Sequence, residues 1–206
     1  MSKVVAASST SEVIGRLPIL DVSPVIDGGR WPAKAFEGEV LPFSARVFRE
    51  GHDSIAAEVL LHSPSGKTTV HRMHPGAPGS DLWHGTAQCN ETGTYTFEIR
   101  AFADDFETWH HNAEIKVKAD IDSELMMLEG VNLFNRAAAE KGRSKDNAAL
   151  LGKIALVLAD KAMSPLTRLG LAEAPEVVKA VTDEPIRSLI TLSQSYSINS
   201  ERKLAG

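Results

Sequence analysis

The chain has 206 residues, 43% of them hydrophobic and 24% charged, an ordinary globular composition with length for one large domain or two modest ones. A net charge of −5 gives no basic footprint of the kind that nucleic acid selects, and it argues against an anionic membrane surface. The single cysteine, Cys89, excludes an internal disulfide and fits a reducing cytoplasm.

Residues 1–13 are small and polar and read as a disordered lead-in without the apolar stretch of a signal peptide. From there to about Asp120 the period is that of strands. Phe43, Ala45 and Val47 alternate with polar neighbours, as do Ile55, Ala57, Val59 and Leu61, and then Tyr95, Phe97, Ile99 and Ala101. The same alternation over Trp109, His111, Ala113, Ile115 and Val117 predicts one more strand. Turn-forming clusters separate the runs at Asp27-Gly28-Gly29, Glu50-Gly51-His52-Asp53, Ser63 to Lys67, Pro75 to Gly79 and Glu91-Thr92-Gly93. One apolar face per strand and regular turns predict an all-β sandwich.

After Asp120 the period becomes helical. Met127, Val131, Phe134 and Ala138 form one stripe; Ala148, Leu151, Ile154, Ala155, Leu158 and Ala162 form a second. Asp122 or Ser123 suits the first N-cap, and Ser144 or Asp146 the next. Ser164-Pro165, Pro175 and Pro185 each suit the start of a further short helix. Short breaks between helices predict a small antiparallel bundle. The tail from Ser193 to Gly206 has no periodicity. No run of about 18 apolar residues exists to span a membrane.

The chemistry-bearing residues have plain structural readings. His71, His74, His84 and the His110-His111 pair are the candidates for a metal, but His71 and His74, three apart on a strand, would face opposite ways, as would His110 and His111. Cys89, before a turn, reads as a small buried strand residue. Asp104, Asp105 and Glu107 read as a solvated turn between strands, and no Gly-x-Ser-x-Gly elbow or phosphate loop occurs. The expected catalytic, cofactor and metal residues are therefore none. Of the three tryptophans, Trp109 reads as core, whereas Trp31 and Trp83 flank turns and are the candidates for an exposed ring that meets a sugar or a partner.

Gly15-Arg16-Leu17-Pro18-Ile19-Leu20-Asp21-Val22-Ser23-Pro24-Val25-Ile26-Asp27-Gly28-Gly29-Arg30 resembles the opening of bacterial α-1,4-glucan:maltose-1-phosphate maltosyltransferases. Val47-Phe48-Arg49-Glu50-Gly51-His52-Asp53 is the most specific block. Glu91 to Tyr95, Thr108 to Ala113 and Asn199 to Ala205 continue the resemblance. It implies an α-amylase-superfamily enzyme (glycoside hydrolase family 13) that moves maltosyl units from maltose 1-phosphate onto α-1,4-glucan. The catalytic carboxylates would stand on a (β/α)₈ barrel of about 250 residues beyond this segment, so none is carried over onto this chain.

The resemblance also implies an immunoglobulin-like sandwich at 14–120, a helical domain at 121–195 and a linker at 196–206 leading to an absent barrel. The expected role is non-catalytic: domain packing and homodimer assembly in the cytoplasm, with the barrel and a second copy of the chain as partners. The alternative is a glucan-binding module acting through Trp31 and Trp83. No cofactor, nucleic acid or membrane partner is expected.

Overall fold

The computed structural model describes residues 17–202; the predicted lead-in at 1–13 and the last residues of the tail lie outside the described residues. The chain divides into two compact units. Of the described residues, the first holds 17–49, 58–100 and 191–202, and the second 50–57 and 101–190.

The strands are β1 (Ile19–Ser23), β2 (Ala33–Phe36), β3 (Glu39–Val47), β4 (Ile55–His62), β5 (Thr68–Arg72), β6 (His74–Pro75), β7 (Leu82–Cys89), β8 (Gly93–Asp104), β9 (Arg187–Leu192) and β10 (Tyr196–Glu201). They build a four-stranded sheet in the order β1-β3-β7-β6 and a six-stranded sheet in the order β2-β10-β8-β4-β5, with β9 paired to β8. The alternation read from the sequence is the cause. Leu41, Phe43, Ala45 and Val47 of β3, and Tyr95, Phe97 and Ile99 of β8, are buried on one face of their strands. Phe43 meets Phe97 edge-on with centroids 4.9 Å apart, which joins the inner faces of the two sheets in the first unit. β4 departs from the pattern, because every residue from Ala56 to Leu61 is buried. Glu58, expected on a polar face, is among them, and its carboxylate accepts hydrogen bonds of 2.8 and 2.5 Å from Arg100.

The second unit carries helices α1 (Asp105–Lys118), α2 (Ser123–Ala138), α3 (Lys145–Ala159), α4 (Pro165–Ala172) and α5 (Pro175–Asp183). Ser144 and Ser164 cap α3 and α4 by accepting from the backbone N–H three residues on, and Pro165 and Pro175 open α4 and α5. The core runs through Phe106, Trp109, Met126, Phe134, Leu151, Leu158 and Leu169.

Three predicted elements are corrected. Trp109 to Val117 belong to helix α1, not to a strand. Phe106, Trp109, Ala113 and Val117 are its buried stripe, and Asp104 caps it by accepting from the Glu107 N–H at 3.1 Å. The alternation from Trp109 to Val117 fitted a strand; the stripe that begins three residues earlier, at Phe106, fits a helix. Pro185 does not start a fifth short helix; it precedes β9, in which Leu189 adopts φ 49°. The aperiodic tail contains β10, inserted between β2, to which it runs parallel, and β8, to which it is antiparallel.

Candidate functional site

Asp27 to Gly29 form a short 3₁₀ turn, closed by an isolated bridge between Ile26 and Trp31. Gly29 sits at φ 91°, and a side chain there would stand 3.0 Å from the Tyr196 ring, so only glycine lets the turn lie against β10. The turn projects Trp31 with 58% of its surface exposed and Arg30 over the indole at 5.7 Å, within the range of a cation–π contact. Trp83 is different. It is 9% exposed, and its indole N–H donates to the Val47 carbonyl at 3.2 Å. Of the two candidates for an exposed ring, the structure thus places Trp83 on the inner face of β7 and leaves Trp31 exposed.

The other candidates resolve into structural roles. Asp104 is the α1 N-cap, and Asp105 is held by Arg136 and by the Ser188 hydroxyl at 2.6 Å. These carboxylates form a helix start in place of the expected solvated turn. Cys89 is fully buried, and burial followed by the charge of Glu39 pushes its thiol up, away from the nucleophilic thiolate. His110 stacks on Phe106 and meets Glu173 at 3.0 Å. His111 is its helical neighbour, so the two do not alternate across a strand. Among the described residues no three His, Cys, Asp or Glu side chains gather as a metal-ligand set.

His71 and His74 do not share one strand. β5 ends at Arg72 and β6 begins at His74, in the other sheet. His71, His74 and His84 consequently line one shallow concavity of about 670 Å³, floored by Pro42, Phe43 and Gly85. Opposite-face reasoning over a continuous strand missed this grouping. The signal that could have found it is the Pro75 break directly after His74.

In the second unit a groove of about 410 Å³ is lined by Leu125, Met127, Leu128, Val131, Leu158 and the Glu124–Arg168 pair. Leu125 and Leu128 are exposed on its rim. Arg168 is the largest fully buried side chain; it donates to the Leu158 carbonyl at 2.9 Å and grips Glu124. A hydrogen bond from Arg168 holds the Glu124 carboxyl below its ordinary value. The sequence stripes at 127, 131, 134 and 138 did not include Leu125 or Leu128, because these lie off the core-facing side of α2. No helix among the described residues is long and apolar enough to cross a membrane.

The family model for α-1,4-glucan:maltose-1-phosphate maltosyltransferase, domain N/S, matches residues 15–202. Among relatives, maltosyltransferase 1 of Streptomyces coelicolor is 40% identical over 194 residues, 94% of this chain and 29% of that protein. Maltosyltransferase 2 of the same organism is 41% identical over 193 residues, 93% of this chain and 29% of that protein. The Mycobacterium tuberculosis maltosyltransferase is 31% identical over 219 residues, 94% of this chain and 31% of that protein. The chain thus spans less than a third of the length of these relatives.

Proposed function

Because this chain belongs to the α-1,4-glucan:maltose-1-phosphate maltosyltransferase family, we propose that it is a non-catalytic N-terminal part of an enzyme that extends α-1,4-glucan from maltose 1-phosphate. Its work is domain packing and homodimer assembly. The observation that carries this reading is the match to domain N/S along the whole described chain. The carboxylates of Asp104 and Asp105 serve as a helix cap and as a partner of Arg136 and Ser188. The two facing sheets support an immunoglobulin-like sandwich in the first unit. Leu125 and Leu128 beside the groove supply apolar surface of the kind that marks a protein contact. The lone buried thiol of Cys89 supports a reducing, cytoplasmic setting.

Sedimentation of the chain at increasing concentration tests the assembly role. Reversible self-association that Leu128→Asp abolishes, with the circular dichroism spectrum retained, is the expected result. A monomer at every concentration removes dimer assembly from the functions of this chain. Incubation with maltose 1-phosphate and an α-1,4-glucan acceptor is expected to release no phosphate; turnover would overturn the non-catalytic reading.

A second reading rests on Trp31. Its exposed indole, held by the Ile26 bridge, is a flat apolar surface on which a pyranose ring can stack. An amide NMR titration with a maltooligosaccharide tests it. Saturable shifts around Trp31 would establish a glucan contact, and their absence at millimolar sugar would remove it.

A further inference from the structure

We propose that His74 and His84 form a two-point surface site for a divalent late transition metal, Zn²⁺, Ni²⁺ or Cu²⁺. The two residues are direct partners in the antiparallel β6–β7 ladder. Directly opposed residues of antiparallel strands project to the same face, with Cβ atoms about 4.5–5.5 Å apart. Two imidazoles at that spacing can rotate their nitrogens onto one ion, which lies about 2.0–2.1 Å from each. Both side chains are exposed, and both line the same concavity.

The pair differs from the other histidines in its freedom. His62 and His71 spend a ring nitrogen on Thr68 and Thr69, and His110 spends one on Glu173. Among the described residues, neither the His74 ring nor the His84 ring makes a hydrogen bond or ion pair, so their lone pairs are available. Nε2 of His84 lies 3.3 Å from where a β-carbon on Gly76 would stand, so the ring lies over a residue that has no side chain. β6 is a two-residue edge strand, which leaves the outer side of the pair open to solvent. Water completes the coordination, so the site is exchangeable. Affinity should rise from Zn²⁺ to Cu²⁺, following the usual order for nitrogen ligands.

The test is a Zn²⁺ titration of the ¹⁵N-labelled full chain, followed through its imidazole resonances. The expected result is that the His74 and His84 rings shift together and saturate at one ion per chain. His74→Asn and His84→Asn should each weaken binding by about tenfold or more, since even outer-shell partners of metal ligands are worth 10–100-fold, with amide spectra unchanged elsewhere. His52→Asn and His111→Asn should leave the affinity unaltered. The proposal is overturned by the absence of saturable shifts, by shifts centred on other histidines, or by full affinity in either ligand variant.

Discussion

The place where a β-carbon on Gly130 would sit is 2.6 Å from Cζ2 of Trp109. Gly130 of α2 therefore exists to admit the indole of α1, whose N–H donates to the Met126 carbonyl at 2.9 Å. Phe134 meets the same ring edge-on at 5.4 Å. Close approach at one residue sets how α1 and α2 pack.

Gly130→Ala is expected to destabilise the chain despite the better helix propensity of alanine. Propensity contributes about 1 kcal/mol in favour, whereas overpacking a closed core costs about 1–3 kcal/mol. Leu158, whose Cδ1 would be 2.8 Å from the added carbon, crowds the same place. Thermal unfolding should show a lowered midpoint, and Trp109→Phe in the same chain should recover part of it. A raised midpoint in the single variant would show that the indole yields freely.

Glu124 gives the stability a pH dependence of known sign. Arg168 holds the folded carboxyl below its ordinary value of 4.5. A depressed folded value contributes stability that is fully present above the unfolded value and is lost as pH falls through the folded one. Denaturant titrations from neutral pH down through that range should therefore show a steeper acid loss in the native chain than in Glu124→Gln. Because Glu124 is exposed, the difference will be small and will shrink in salt. Identical pH profiles would mean that the Arg168–Glu124 contact is not maintained in solution.

The segment from Tyr196 to Glu201 should be indispensable to the first unit. It fills the gap between β2 and β8, with Ile198 opposite both Ala33 and Tyr95, and Ile198 and Ser200 are buried. A chain ending at Ser195 leaves two ladders open and a core position empty. Its β2 and β8 amides should lose protection from hydrogen exchange, whereas a chain ending at Arg202 should keep it. Protection in the shorter chain would show that β10 is dispensable.

These elements also show what a sequence reveals. The strands β3, β4 and β8 and the helices α2 to α5 were legible, because alternation, a helical stripe and a proline at a helix start are local signals. β10 was not: Ser195 to Glu201 carries little apolar pattern of its own, and its strand character comes from two partners more than 90 residues earlier. α1 was ambiguous because alanine and valine at alternate positions also fit a helix stripe. The Asp104-x-x-Glu107 start was the local sign that decides it. The grouping of His74 with His84 depended on a strand pairing, which no spacing rule reports.

The tryptophans were legible only in part, and they supply a direct check. Trp31 is 58% exposed, whereas Trp83 and Trp109 are 9% and 5% exposed. Acrylamide quenching should separate one accessible fluorophore from two protected ones, and Trp31→Phe should remove the accessible fraction alone. The stability effects should split in the same way. Trp31→Ala loses only surface contact and should change stability by less than about 0.5 kcal/mol. Trp83→Ala empties a core site and removes the donor to Val47, so it should cost about 3–5 kcal/mol. Any loss of glucan affinity in Trp83→Ala would then report unfolding, while a loss in Trp31→Ala with the fold intact would report a contact made by the ring itself. Equal quenching of all three tryptophans would contradict the placement of Trp83 on the inner face of β7.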